Sequence, residues 1–172
     1  MVRRRFLRVA KKKVKTISPK AAIAGLALLL GLTAAPGWAE DQVPILQMWT
    51  GDYPVSQLAR LPEGQRETPV GYIGDGGTFS AVWQAWKPGE KTPEVDFEAN
   101  LVVFFRNVVF YNRTSIAKAT LRDGMLEVLA IETRSSMPVE DKVAMALAVV
   151  PRKGVQSIRS GEGRIPVPSS GK

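Results

Sequence analysis

The sequence predicts an α+β fold, in which a mainly antiparallel β-sheet packs one helix within a single domain. Three observations lead to this prediction. Residues 101–105 are five consecutive apolar residues of β-branched and aromatic type, which is typical of a strand covered on both faces. Residues 78–86 have the apolar spacing of a helix, and strand-like stretches follow residue 105 as far as Pro151. Residues 101–105 are therefore predicted to be the central strand.

Residues 1–39 are predicted to be an export signal peptide. They hold nine basic and no acidic residues, then an apolar run over residues 21–35, then small residues at Gly37 and Ala39 that suit signal peptidase. The run is shorter than the roughly 20 residues of a spanning helix, so we expect cleavage after Ala39 and no transmembrane segment afterwards. Residues 2–8 resemble the twin-arginine export motif, whereas the long basic segment is typical of a general secretory signal, so both routes stay open.

The remainder of the chain is predicted to be one domain with a periplasmic or secreted location. Residues 40–158 form this domain, and residues 159–172 are rich in Gly, Pro and Ser, which predicts a disordered tail. Nine of the 24 basic residues lie in the signal, which leaves 15 against 16 acidic residues. This nearly neutral balance gives no support to nucleic-acid binding.

The residues ahead of the central strand are predicted in sequence order as follows. Residues 45–49 form either a first strand or a docking segment, and residues 53–60 hold a short helix. Residues 69–73 form a strand, and the glycine-rich residues 74–77 form a turn that needs positive φ. The helix over residues 78–86 follows, with Thr78 as its N-cap.

Four aromatic and aliphatic residues share one face of this helix at helical spacing. They are Phe79, Val82, Trp83 and Trp86. This stripe predicts packing against the sheet; the alternative is that the tryptophans line a ligand groove.

After the central strand, Asp123-Gly124 stands between two strand patterns and predicts a β-hairpin. Residues 143–150 alternate large and small apolar side chains, which predicts a strand with a thick core on one face and a close neighbour on the other. Residues 155–158 are predicted to be a last edge strand.

The absence of His and Cys excludes most catalytic and metal chemistry, so we expect no cofactor and no metal ion. Glu94, Asp96 and Glu98 would point to one face of a strand. Such a cluster is typical of a solvated edge opposite an inward Val95 and Phe97. The alternative is a carboxylate-dependent hydrolase or binder of envelope glycan.

The bend over residues 107–113 is the predicted contact surface for a protein partner. Phe110 and Tyr111 would be exposed there if the bend is a loop, and Arg113 follows them. We therefore predict a binding surface at Phe110, Tyr111 and Arg113 and no catalytic residue.

Part of the chain resembles a known family. Over residues 79–158, Val95-Asp96-Phe97 ahead of an apolar strand, the stretch over residues 125–128 and the late strand over residues 143–150 resemble the C-terminal domain of the protease-complex subunit PrcB. That family consists of small secreted or lipid-anchored β-rich domains without known catalysis. This chain differs in having no glycine over residues 106–112, where the family has a glycine-rich stretch. The resemblance implies a β-rich accessory domain that acts beside another envelope protein.

Together these features predict an exported, non-enzymatic binding or accessory protein of the bacterial periplasm or envelope. Its expected partner is another envelope protein.

Overall fold

The computed structural model describes residues 41–107, 111–134 and 141–169. Strands, one α-helix and one 3-10 helix alternate along them and confirm the α+β prediction. In chain order they are β1 (Asp41–Val43), β2 (Gln47–Pro54), the 3-10 helix (Val55–Arg60), β3 (Val70–Ile73), α1 (Gly76–Trp86), β4 (Asn100–Asn107), β5 (Tyr111–Arg122), β6 (Met125–Arg134), β7 (Lys142–Pro151), β8 (Ser157–Ser160) and β9 (Gly163–Pro166).

The strands form two sheets. Sheet A has the order β1-β5-β6-β8-β9, and sheet B has the order β2-β7-β4-β3. Every described pairing is antiparallel except that of β6 with β8. One apolar core lies between the two sheets, and a second lies between sheet B and α1. Sheet B is therefore the middle of three layers.

Strand β4 is covered on both faces, as predicted for residues 101–105. Leu101 and Val103 face sheet A, while Val102 and Phe104 face α1. All four side chains are fully buried. A strand with apolar residues at every position is stable only in such a middle layer, because both of its faces are then removed from water.

Strand β7 lies between β2 and β4 and confirms the predicted division of large and small side chains. Met145 and Leu147 belong to the core under α1, whereas Ala146 and Ala148 belong to the core between the sheets. The alanines let the backbone of sheet A approach closely, and the larger residues fill the space under the helix.

Helix α1 begins at Gly76, two residues earlier than predicted, and its N-cap is Asp75. The Asp75 carboxylate accepts a hydrogen bond of 2.8 Å from the Thr78 N–H. The prediction of Thr78 as the cap is wrong, because Thr78 already lies inside the helix. The cap is the extended residue just before Gly76, and its carboxylate satisfies the Thr78 N–H. The predicted positive φ is also wrong for residues 74–77: Asp75 is extended, with φ −147°, and the glycines beside it have no positive φ.

The aromatic stripe of α1 packs against sheet B, as predicted. Phe79, Val82, Trp83 and Trp86 are all buried. Trp49 of β2 contacts two of them, with ring centroids 5.9 Å from Phe79 and 5.3 Å from Trp83. These rings are part of the core and do not line an open groove.

The Asp123-Gly124 hairpin is confirmed. The two residues have φ of 50° and 77°, and they join β5 to β6 as a two-residue turn. Positive φ at both positions is the requirement of a type I′ turn, which matches the twist of the flanking strands.

The remaining short elements agree with the sequence in part. The 3-10 helix follows Pro54 within the predicted residues 53–60, and β3 matches residues 69–73. In residues 45–49 a strand begins only at Gln47. The predicted last edge strand, residues 155–158, becomes β8 and is followed by the true edge strand, β9.

The prediction of a disordered tail is wrong for residues 159–169. Gly161, with φ 58°, turns the chain so that β9 pairs with β8. Val167 is buried and donates its N–H to the Gln156 carbonyl oxygen at 2.8 Å. Arg152 then donates from Nη1 to the Pro168 carbonyl oxygen at 3.2 Å. Long-range hydrogen bonds order a segment whose composition alone predicts disorder.

The predicted signal peptide, residues 1–39, and the end of the predicted tail, residues 170–172, lie outside the described residues, so export and cleavage stay predictions. Among the helices that the structure does describe, none has the length and apolar character needed to cross a membrane.

Tyr53 gives the stability of the fold a pH dependence. It is fully buried, and its hydroxyl donates to the Gln57 carbonyl oxygen at 3.0 Å. Burial raises the pKa of Tyr53 from 10.0 to about 12, although nearby Arg60 opposes part of this shift. Since the folded state favours the neutral phenol, its contribution is present below pH 10 and is lost as the pH rises toward 12.

We expect urea denaturation to show a free energy of unfolding that falls between about pH 10 and pH 12. The Tyr53→Phe variant should lack this component of the fall. An equal fall in both proteins would mean that other groups cause it.

Candidate protein-interaction surface

The predicted bend marks the place where the chain leaves one sheet for the other. Strand β4 of sheet B ends at Asn107, and β5 of sheet A begins at Tyr111. Tyr111 is paired with Arg134 in the ladder, and its side chain lies outside the described part of the structure. Phe110 also lies outside it. Of the three predicted binding residues, Arg113 is the one whose side chain can be placed.

Arg113 is exposed and lines a cleft of about 400 Å³ between β2 and β5. The opposite wall consists of Thr50, Gly51 and Asp52. Thr114 closes the cleft on the β5 side; it is buried, and its Oγ1 has no hydrogen-bond partner. We call the β5–β6 hairpin, residues 111–134, the arm. The cleft places the Arg113 guanidinium and the Asp52 carboxylate at the end of the arm that lies away from its turn.

The outer face of the arm exposes two large apolar side chains, Leu129 and Ile131 of β6. Each is 59% exposed. Val128, between them and the turn, packs against the core between the sheets. Because side chains alternate across a strand, Leu129 and Ile131 lie together on the face turned away from sheet B.

Sequence reasoning missed this pair. Residues 125–131 are apolar at almost every position, which suggests burial on both faces. The strand is instead covered on one face, and Leu129 and Ile131 lie on the other.

One edge of β6 has a described neighbour over only a short part of its length. Its ladder with β8 holds only the pairs Met125 with Ser157 and Leu126 with Ile158. Strand β8 then turns toward β3: the Ser160 hydroxyl donates to the Val70 carbonyl oxygen at 2.8 Å. Within the described ranges, no strand pairs with this edge of β6 beyond Leu126.

The acidic cluster does not lie on a strand, contrary to the expected common face. Glu94, Asp96 and Glu98 are all exposed in the irregular segment that precedes β4. Asp96 Oδ1 accepts hydrogen bonds from the N–H groups of Glu98 at 2.9 Å and Ala99 at 3.3 Å.

Glu94 forms an ion pair of 3.1 Å with Lys91. Val95 and Phe97, between the acids, pack against the core under α1 as expected. Asp96 therefore shapes a surface turn, and none of the three exposed carboxylates has the apolar surroundings that a general acid requires. In the described residues no three His, Cys, Asp or Glu side chains are arranged to hold a metal ion.

Two further polar groups, one buried and one half-buried, have structural roles. Burial lowers the pKa of the Arg106 guanidinium, which Glu67 partly offsets, and Arg106 Nε donates to the Thr68 carbonyl oxygen at 2.9 Å. Burial likewise raises the pKa of Tyr72, and its hydroxyl donates to the Pro166 carbonyl oxygen at 3.0 Å. Both residues fasten loops or terminal segments to sheet B.

Two other cavities are less suited to recognition. A groove of about 540 Å³ between the 3-10 helix and α1 contains Arg60 and Gln84, and Gln84 is already bonded to the Glu90 carbonyl oxygen. A cavity of about 290 Å³ contains Arg152, whose Nη2 donates to the Gly74 carbonyl oxygen at 3.1 Å. Gln84 and Arg152 each hold neighbouring backbone in place.

Comparison with known proteins gives this chain no relative. No protein-family model, no curated protein and no solved structure matches it. The arm and its cleft are therefore interpreted from their own chemistry.

Proposed function

We propose that this protein is an exported, non-enzymatic binding or accessory protein of the bacterial periplasm or envelope. It contacts another envelope protein through the outer face of the arm. The observation that carries this proposal is the exposed pair Leu129 and Ile131 on β6, whose outer edge is paired with no described strand beyond Leu126. The location rests on the predicted signal peptide.

The energetics of the pair suit an interface. Full burial of a large aliphatic side chain contributes about 1.5–3 kcal/mol, so covering Leu129 and Ile131 would recover a useful part of that amount for each. Arg113 lies on β5 of the same arm, with Tyr111 two residues before it. Exposed apolar side chains near an arginine are typical of an interface centre.

The rival function, hydrolysis or binding of envelope glycan, has less support. Asp96 is engaged in a turn and Glu94 in an ion pair, and both are exposed. Hydrolysis of an envelope glycan by the purified protein, lost in Asp96→Asn, would favour that rival.

The double variant Leu129→Ser, Ile131→Ser is expected to lose capture of the partner from an envelope extract. Removing the apolar surface of the arm takes away the main source of binding energy. The unfolding midpoint should change little, because both side chains are already mostly in water. Affinity purification with mass spectrometry measures capture, and thermal denaturation measures stability.

A matched control is Leu46→Ser, Met48→Ser. These side chains are also exposed, by 52% and 45%. Met48 lies in β2 of sheet B, and Leu46 directly precedes that strand. The control should retain the partner. Equal capture by wild type and the arm variant would refute the proposal, as would loss of the partner in both variants.

A further inference from the structure

The two-residue turn fixes which backbone groups of β6 point to its free edge. In a two-residue hairpin the residues flanking the turn, here Arg122 and Met125, form a hydrogen-bonded pair. Backbone N–H and C=O groups then alternate in direction along the strand. The register shifts in this ladder place the extra residues on β5, so the alternation continues along β6 without interruption.

Val128, Ala130 and Glu132 therefore direct their N–H and C=O groups away from β5. Within the described chain these groups have no strand to bond, since β8 has already turned toward β3. An unpaired row of alternating donors and acceptors is a template for one more strand. The exposed Leu129 and Ile131 stand on this same segment, with polar Glu127 and Thr133 on either side of them on the same face.

We propose that the partner contributes an extended segment that adds to sheet A as a strand along residues 127–134 of β6. The proposal deepens and rests on the proposed function, because it specifies the chemistry of the partner at the same surface. The segment carries apolar side chains at alternate positions, which cover Leu129 and Ile131. Main-chain hydrogen bonds hold the segment, and these apolar side chains select it.

The size of the edge favours such a segment over a second copy of the folded domain. Eight residues of strand span about 27 Å, and a sheet is about 10 Å thick, so the edge itself offers roughly 270 Å². A stable interface between folded proteins buries about 800 Å² on each partner. An extended segment does not need that area, because main-chain hydrogen bonds along the edge hold it and its side chains pack beside Leu129 and Ile131 on the outer face.

The test uses the full chain and a synthetic peptide, acetyl-Lys-Thr-Val-Thr-Ile-Thr-Val-Thr-Lys-amide. Its control is the same peptide with N-methyl groups on alternate residues, which cannot pair along one edge. We expect the unmodified peptide to bind and to slow amide hydrogen exchange at Val128, Ala130 and Glu132 by about tenfold or more. The N-methylated peptide should do neither.

Two variants at one position test the edge from the protein side. Ala130→Pro removes an N–H that the fold does not use and is therefore expected to fold, as proline is tolerated on strand edges. It should abolish peptide binding. Ala130→Val keeps the N–H and should retain binding.

Several results would overturn the inference: no binding or protection with wild type, equal binding of the N-methylated peptide, or equal binding by Ala130→Pro. A homodimer that Ala130→Pro converts to monomer would also overturn it, because the edge would then pair with a second copy. The proposed function fails separately. If the Leu129→Ser, Ile131→Ser variant loses the envelope partner while Ala130→Pro keeps it, the arm is the docking surface and strand addition is wrong.

Discussion

Phe104→Ala is expected to lower the free energy of unfolding by about 4 kcal/mol. Phe104 is fully buried in the middle layer, where it belongs to the core between sheet B and α1. Its removal leaves a cavity that rigid neighbours on two strands and a helix cannot fill. Since domains of this size are stable by only about 5–15 kcal/mol, the variant should lose a large part of its stability.

Urea denaturation followed by tryptophan fluorescence measures this loss. Phe105→Ala is the control, because Phe105 is the next residue of β4, faces the other core and is only partly buried. Its loss should be clearly smaller. If the two variants lost the same amount, the division of β4 into two buried faces would be wrong.

Gly71→Ala is expected to cost about 3 kcal/mol, although it adds a single methyl group. A Cβ at Gly71 would overlap the Phe104 ring and the Gln65 side-chain oxygen. The Gln65 oxygen cannot move freely, because it accepts a hydrogen bond of 2.7 Å from the Tyr72 N–H. Gln65 and Phe104 are both buried, so neither has free space beside it.

The overlap predicts strong coupling between the two substitutions. With Phe104 already replaced by Ala, adding Gly71→Ala should cost much less than it does in the wild type, because one of the two obstacles is gone. Gly163→Ala is the control: its added Cβ would approach only the Ser160 carbonyl oxygen, at 3.6 Å, and should cost little. Simple additivity of Gly71→Ala and Phe104→Ala would refute the contact.

The parts of the fold that the sequence predicts correctly are those fixed by local pattern. Strand β4 is apolar at successive positions, and β7 alternates large with small residues. Each pattern therefore predicts by itself which faces of the strand are buried. Asp123-Gly124 encodes its turn through the positive φ that both residues adopt. The stripe of α1 is likewise complete within one helix.

The predictions that fail depend on distant partners. Residues 159–169 are ordered by hydrogen bonds to Gln156, Arg152 and Tyr72, which composition does not reveal. The arm shows the same limit. The exposure of Leu129 and Ile131 depends on where β8 leaves β6, and that follows from its contact with β3.

The position of β7 between β2 and β4 has a consequence for synthesis of the chain. Its partner β2 lies on the order of a hundred residues earlier, so sheet B is dominated by contacts of high sequence separation. A nascent chain cannot complete this sheet before Pro151 has left the ribosome. Until then the apolar strand β4 lacks its central neighbour, and this interval leaves it accessible to chaperones that hold unfolded chains.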